Sequence, residues 1–506
     1  MCKNAEAAHM KFIYLYSSLV VALSVQFSAS AQSVRDTAIT QNLTLRQCID
    51  YALRNQPGIR QAGIDEAINE RDINIALSAW LPQISSTGSY QRYFQRTAQV
   101  GSASGGSTTT TGGTNGGTTT GGGTTGGTGT GTGTGTGGTT TGGTGTGSTP
   151  TSTGTTTQSS VLAIGNNVSS LGVQASQVIY NNDVFLASKA SKYSRLYYRQ
   201  NTVVTQINTV ADVSKAFFDV LLSQRQLNIV NEDIARLQRS LKDAYVRYQA
   251  GVADKTDYKQ ATIALNNSLA TRKQTEEAIK AKTAYLKQIM GLGPNHNFDL
   301  SYDSTRYERE AYIDTNQTLN VNNRVEYRQL LTDKNLQNLN VNYYRYGFLP
   351  SLSAVGAYNL LYFNDSFSRL YGNAYPTSYA GLSLSLPIFQ GTRRLQNVAK
   401  AKLQVQRVDL DIVNSRNTIN TEYVQSLAAY KSNYSNWQLL KQNVELARDV
   451  YNVVSLQYRE GIKTYLDVIV SQADLRTAEL NYYTALFQLL SSKVDFERAL
   501  GILVVR

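Results

Sequence analysis

Tyr245-Val-Arg247-Tyr248-Gln-Ala-Gly251-Val252-Ala-Asp254-Lys-Thr256-Asp257 and Ser455-Leu-Gln457-Tyr458-Arg-Glu-Gly461-Ile462-Lys463-Thr464-Tyr-Leu-Asp467 are one stretch written twice. Each copy closes a long polar helical pattern, turns at a glycine and opens a new helix three residues later. An offset of 210 residues relates Gly251 to Gly461, Asp257 to Asp467, and Gly291 to Gly501. The chain is therefore an internal duplication of long helical hairpins.

Composition narrows the classes of function. Charged residues make up only 17% of the chain, while 33 are tyrosines. A tyrosine joins an apolar ring to a polar tip, which suits boundaries between water and something apolar. The net charge of +12 is spread along helices with no basic run, which speaks against nucleic acid as a partner. Lys3 and Lys11, the apolar run from Phe12 to Phe27 and Ala29-Ser30-Ala31 read as an export signal over residues 1–31. With that leader gone, His296 is the one histidine left and Cys48 has no partner. Zinc sites, Ser-His-Asp triads and Cys-His pairs need residues this inventory lacks, so no metal, no cofactor and no enzymatic activity are expected. No later stretch reaches the roughly 20 apolar residues of a spanning helix.

Past the leader, Thr44 and Gln47 form a capping box that opens a short helix, and Asn55-Gln-Pro57-Gly58 interrupts it. A second helix runs to Trp80-Leu81-Pro82, where the period becomes strand-like. A Gly/Thr/Ser tract at 101–160 follows. Beyond it, Leu171, Val173 and Ala175 alternate with Gly172, Gln174 and Ser176, as in a strand with one apolar and one polar face. Phe348-Leu349-Pro350 answers Trp80-Leu81-Pro82 at an offset of 268, and Leu382, Leu384 and Leu386 alternate with Ser383 and Ser385. The two offsets differ by 58, about the length of the tract, so the tract is an insertion in the loop of one β-hairpin. The repeats read as 32–293 and 323–506, joined by a connector at 294–322. The helices before the glycine turns span roughly 60–70 residues, about 90–100 Å at 1.5 Å per residue. In the first, a narrow seam steps by four and three through Val203, Ile207 and Val210, then Phe217 and Leu221, and later Ile234, Leu237, Leu241, Ala244 and Tyr248.

An open strand pair cannot span a membrane, because its edges would leave N–H and C=O groups unsatisfied in lipid. Two hairpins per chain need other copies to close a barrel, with leucines toward lipid and serines or glutamines toward a wet lumen. Both ends of each hairpin continue into helices, so the helices share one side of the membrane. With an export signal, that side is the periplasm.

In this order of elements the chain resembles the TolC-like outer membrane efflux proteins. Leu43-Thr-Leu-Arg-Gln-Cys48-Ile-Asp-Tyr-Ala52-Leu53-Arg-Asn55-Gln-Pro57 is similar to the family's first helix. The two Leu-Pro junctions resemble its helix-to-strand entries. The resemblance implies a mainly α fold with a β-barrel portion: a homotrimer with a twelve-stranded outer membrane barrel and a periplasmic α-helical tunnel. It implies an exit duct of a tripartite efflux or type I secretion system. Cargo would come from an inner-membrane pump of RND or ABC type through a periplasmic adaptor. A surface adhesin or structural stalk presenting the Gly/Thr tract is the alternative.

The resemblance also assigns residues. Arg247, Gly251, Val252 and Thr256 resemble the tip that adaptors contact, with Gly461 and Ile462 at the second tip. Tyr458, Lys463 and Asp467 resemble the inner hairpin that closes the entrance. Val470 stands where the family has a second inward acid, and Asp257 matches Asp467 in the first repeat. For Asp467 two readings stay open: a gating carboxylate, or the third residue of a capping box with Thr464. Tyr90, Tyr93, Phe94, Tyr358 and Tyr379 are expected at the membrane interface.

Overall fold

A computed structural model describes residues 43–94, 166–296, 298–301 and 304–503. The expected export signal at 1–31 and the Gly/Thr tract at 101–160 lie outside the described residues. In chain order the elements are α1 (Leu45–Asn55), α2 (Pro57–Ser78), β1 (Gln83–Arg92), β2 (Asn167–Tyr180), α3 (Asn182–Gln249), α4 (Lys255–Met290) and α5 (Ser304–Glu310). Then come α6 (Val325–Tyr346), β3 (Ser351–Asn364), β4 (Tyr375–Ser385), α7 (Arg393–Arg459) and α8 (Tyr465–Leu500). They form two units: a helical one within Met1–Ala76, Phe185–Gly347 and Gln390–Arg506, and a sheet unit within Leu77–Val184 and Phe348–Phe389.

In the helical unit the duplication is visible element by element. α3 has 68 residues and α7 has 67, while α4 and α8 have 36 each. α1 begins with the Thr44–Gln47 capping box. It buries Cys48 and Ala52 in the main core, against Phe217 and Leu221 of α3, Leu286 and Met290 of α4, and Leu486 to Phe496 of α8. Burial pushes the Cys48 thiol up to about 12, because a thiolate there would have no water. Most of the seam of α3 is buried, with Phe217, Leu221 and Ala244 almost completely so. Tyr248 is instead on the surface, its ring 5.1 Å from that of Tyr258. Gly291 ends α4 in the left-handed region (φ 73°), and a Cβ there would come within 2.7 Å of the Asn55 carbonyl oxygen. Only glycine satisfies both conditions, so the end of α4 can rest on the end of α1.

The sheet unit is a four-stranded antiparallel sheet in the order β1-β2-β3-β4. Tyr90 stands opposite Ser169, which faces Tyr362, and Ala357 pairs with both Gln174 and Tyr379. Paired residues share a face. One face therefore carries Ile84, Tyr90, Leu171, Val173, Ala175, Leu352, Tyr358, Leu360, Ala380, Leu382 and Leu384. The other carries Gln83, Ser85, Thr87, Ser89, Ser170, Gln174, Asn359, Ser383 and Ser385, with the Ser89 and Ser170 hydroxyls 2.8 Å apart. Tyr379 lies on the polar face, with Gln174, and Tyr358 on the apolar one. Among the described residues, β1 and β4 each pair on one side only.

At one end of the sheet, the β3–β4 connection folds back over the apolar face. Phe367 meets Tyr90 edge-on at 5.6 Å, Tyr371 meets Tyr362 at 5.1 Å, and Leu370 is fully buried. At the opposite end, Trp80, Leu81, Phe348, Ile388 and Phe389 are exposed, the last two at 90% and 88%. Among the described residues, no helix is long and apolar enough to cross a membrane.

Candidate functional site: the two hairpin tips

Both tips are built by the same local rule. At the first, Gly251 takes φ 74°, its N–H donates to Tyr248 O, and the Val252 N–H donates to Arg247 O. At the second, Gly461 takes φ 78°, with Gly461 N–H to Tyr458 O and Ile462 N–H to Gln457 O. The positive φ lets the last turn bond its own carbonyls, so each long helix stops cleanly. The next residue is apolar and in solvent at both tips: Val252 is 74% exposed and Ile462 71%. Two aliphatic side chains thus stand in solvent at equivalent positions of the two repeats.

The tips differ in their carboxylates. Asp467 completes a capping box: its Oδ2 accepts from Thr464 N–H (3.0 Å) and Thr464 Oγ1 (2.8 Å), and Thr464 Oγ1 accepts from Asp467 N–H. Those bonds hold its carboxyl below the usual aspartate range. At the first tip Asp254 does the capping, accepting from Thr256 N–H at 2.6 Å, and its carboxyl is likewise held low by Thr256. Among the described residues, the Asp257 side chain accepts no hydrogen bond. Partial burial, then the charge of Asp254, pushes it up. Val470 is exposed, three residues beyond Asp467. Lys463 is exposed too, with no ion pair among the described residues.

These shifts carry a sign. Asp257 is raised in the folded chain, so it weakens the first tip at neutral pH, and protonation as pH falls toward the ordinary aspartate pKa of about 3.9 removes that penalty. Asp254 and Asp467 are depressed, so their caps persist above that value and are lost as pH falls through their folded pKa values. Hydrogen exchange followed on acidification should therefore show the first tip gaining protection before either loses it. The second should only lose protection. Two tips that respond in parallel would refute this assignment of the carboxylates.

The structure brings Tyr458 together with partners that local sequence patterns do not reveal. Its ring packs against Tyr465 at 5.8 Å, and the Arg247 guanidinium lies 4.6 Å from its centroid. Around them, Ala244, Ala261 and Tyr465 form a small core with Leu241, Tyr258 and Ile469. Higher in the helices, a polar layer separates this small core from the main one. Asp233 of α3, almost wholly buried, accepts from Ser268 Oγ of α4 (2.9 Å) and from Gln472 Nε2 (2.8 Å) and Arg476 Nη1 (3.3 Å) of α8. One helical turn along α8, buried Glu479 meets Arg448 of α7 at 3.4 Å and Arg236 of α3 at 3.8 Å. The clue in the sequence was Gln472 and Glu479 in the three-four spacing of Leu475, Tyr482, Leu486 and Leu489, where a core residue belongs.

One unit of the chain is built of long helices, and the other is a sheet with one apolar face, one polar face and, among the described residues, two edge strands that pair on one side only. The model described as "Outer membrane efflux protein" matches residues 139–292 and 321–502. Among curated relatives, the Outer membrane protein TolC of Vibrio cholerae is 21% identical over 346 residues, covering 67% of this chain and 78% of that protein. Among solved structures, the outer membrane protein VceC of Vibrio cholerae superposes with a TM-score of 0.64 at 13% identity, over 90% of this chain and 96% of that one. The Campylobacter jejuni CmeC outer membrane channel gives a TM-score of 0.64 at 17% identity, over 90% and 85%. The chain belongs to the outer membrane efflux protein family. Its place is the outer membrane, with a large periplasmic helical portion, and it is an exit duct for efflux.

Proposed function

We propose that three copies of this chain close one twelve-stranded barrel, and that their helical hairpins line a periplasmic tunnel ending at the two tips. The observation that carries this reading is the sheet: among the described residues β1 and β4 are open edges, and an open edge cannot sit in lipid. Pairing β4 of one copy with β1 of the next would satisfy both edges and leave none. The apolar face then meets lipid and the serine- and glutamine-rich face lines the lumen. From Leu352 to Tyr362, β3 rises roughly 33 Å. Tilted by about 40°, that covers the apolar band of about 25 Å typical of such barrels. Exposed Trp80, Phe348 and Phe389 would border it at one end, and Tyr90, Phe367 and Tyr371 at the other.

In this reading the tips receive a periplasmic adaptor on Arg247, Gly251, Val252, Thr256, Gly461 and Ile462, and an inner-membrane pump of RND or ABC type drives the cargo. Asp467, Tyr458, Lys463, Val470 and Asp257 surround the entrance. The duct does no chemistry, since energy comes from the pump. Type I secretion fits the same arrangement. Native mass spectrometry of the detergent-extracted protein should give a trimer, and planar bilayers should give discrete conductance steps. A monomer that forms no pores would overturn the reading.

A further inference from the structure

We propose that the polar face of the sheet carries a binding patch for flat aromatic solutes, built on the stacked rings of Phe363 and Tyr375 at the end that holds the β3–β4 connection. The inference rests on the duct reading above, in which this face lines the lumen and that end is the exit. Leu361 pairs with both Ser170 and Tyr375, and Phe363 pairs with Val168, which pairs with Gln91. Those pairings put Val168, Leu361, Phe363 and Tyr375 on the face of Ser89 and Ser170. Phe363 and Tyr375 are diagonal neighbours on adjacent strands, a spacing at which aromatic side chains meet. Their ring centroids lie 4.4 Å apart with 12° between the planes, so the pair presents one stacked platform. Tyr379 stands on the same face four residues along β4, roughly 13 Å away at the rise of a strand. Its side chain is open to solvent at 56% exposure, and that of Tyr375 at 45%.

Anchoring in the membrane does not account for these rings. The other face has its own belt at this end, in Tyr90, Phe367 and Tyr371, and that is the face read as meeting lipid. A wetted wall has no need of apolar side chains, and elsewhere this one is mostly serine, threonine, asparagine and glutamine. Among the described residues of the strands, it also carries no carboxylate, lysine or arginine. With no fixed charge on the wall, the rings are what a passing solute can hold to. An aromatic face is flat, apolar and partly negative. It therefore takes a second flat ring, neutral or cationic, ahead of a saturated or anionic solute. Tyr379 and then the Phe363–Tyr375 platform give such cargo two successive footholds on its way out. Both are open on one side, so contact is brief, as passage requires.

The test uses the full-length protein in planar bilayers, with N-methylquinolinium as a flat aromatic probe and N-methylquinuclidinium as a saturated cation of similar size. Single-channel recordings read how long each probe blocks the current. The aromatic probe is expected to dwell longer than the saturated one. Tyr375→Leu and Phe363→Leu are each expected to shorten its dwell by about five-fold, the loss of one stacked contact. Tyr379→Leu, outside the stacked pair, should shorten it too, and keeps the test open if the pair proves necessary for assembly. Tyr375→Phe keeps the ring and should block like the parent, as should Thr87→Ala, a ringless position on the same face. Equal dwell of the two probes in the parent overturns the proposal, and so does parental dwell in the leucine variants. For protein that passes no current, saturation-transfer NMR of the aromatic probe on the detergent-extracted chain takes over. Transfer that falls in the leucine variants leaves the patch standing and removes the duct reading. Transfer that depends on none of these rings removes both.

Discussion

Leu382→Arg is expected to remove the assembled protein from the outer membrane, while Ser383→Arg, one residue along the same strand, is expected to leave assembly intact. Leu382 pairs with Ala354 on the apolar face of the sheet, and Ser383 pairs with Ser353 on the polar one. In a barrel, the first face meets hydrocarbon and the second meets water. Leu382 lies toward one end of the apolar band, so an arginine facing lipid there costs less than the roughly 2–4 kcal/mol of the midplane, but a closed trimer would bear that cost three times. The same arginine toward the lumen stays hydrated, so its effect should appear in conduction, as a lower preference for cations. Membrane fractionation with native mass spectrometry reads the first outcome, and reversal potentials in asymmetric salt read the second. If Ser383→Arg blocks assembly and Leu382→Arg does not, the faces are assigned the wrong way round.

The second large effect is expected at Asp233. Truncation to alanine takes the carboxylate away from Ser268, Gln472 and Arg476, leaving Arg476 with only Ser268 Oγ (3.2 Å) and Gln472 with only the residue-233 carbonyl (3.4 Å). Breaking a fully buried pair costs about 3–5 kcal/mol; with the Arg476 side chain 32% exposed the loss should fall at or below the low end of that range, still above the net contribution of an exposed ion pair. Asp233→Asn should be milder, because its amide can still accept through one oxygen. A triple change of Asp233, Gln472 and Arg476 to apolar residues should recover much of the loss, since the layer is then uniformly apolar. Circular dichroism during heating gives the ranking. An alanine variant as heat-resistant as the parent would mean that Asp233 is not the centre of the layer.

Much of the architecture could be read in the chain because its determinants are local. The capping box at Thr44, the turns at Gly251 and Gly461 and the alternation of Leu171, Val173 and Ala175 each depend on residues a few positions apart. Long-range pairing is another matter. That Tyr379 shares a face with Gln174 follows from the register of three strands, which no single strand reveals. Asp233 and Arg476 look like the solvated side of a coiled coil until four helices converge on them, and only Gln472 and Glu479, in the core spacing of α8, point to the layer. The contact of Arg247 with Tyr458 joins residues that the sequence separates by a full repeat offset and one residue more. Asp467 illustrates the limit in another way, since the capping box is formed as the spacing suggested and leaves a second role at the entrance to be tested by conductance.

The polar layer has a consequence for how the molecule comes apart. Apolar packing is cooperative over contiguous contacts, and here it is interrupted between the main core and the small one beneath it. The tips are thereby a stability compartment of their own, from about 8 residues deep on α8 to about 17 on α3, or about 12–26 Å at the helical rise. Such a compartment can melt and reform many times while the helices above it stay intact. Heating should then show a small, early, reversible step before the main transition. The entrance can be soft without the duct being weak.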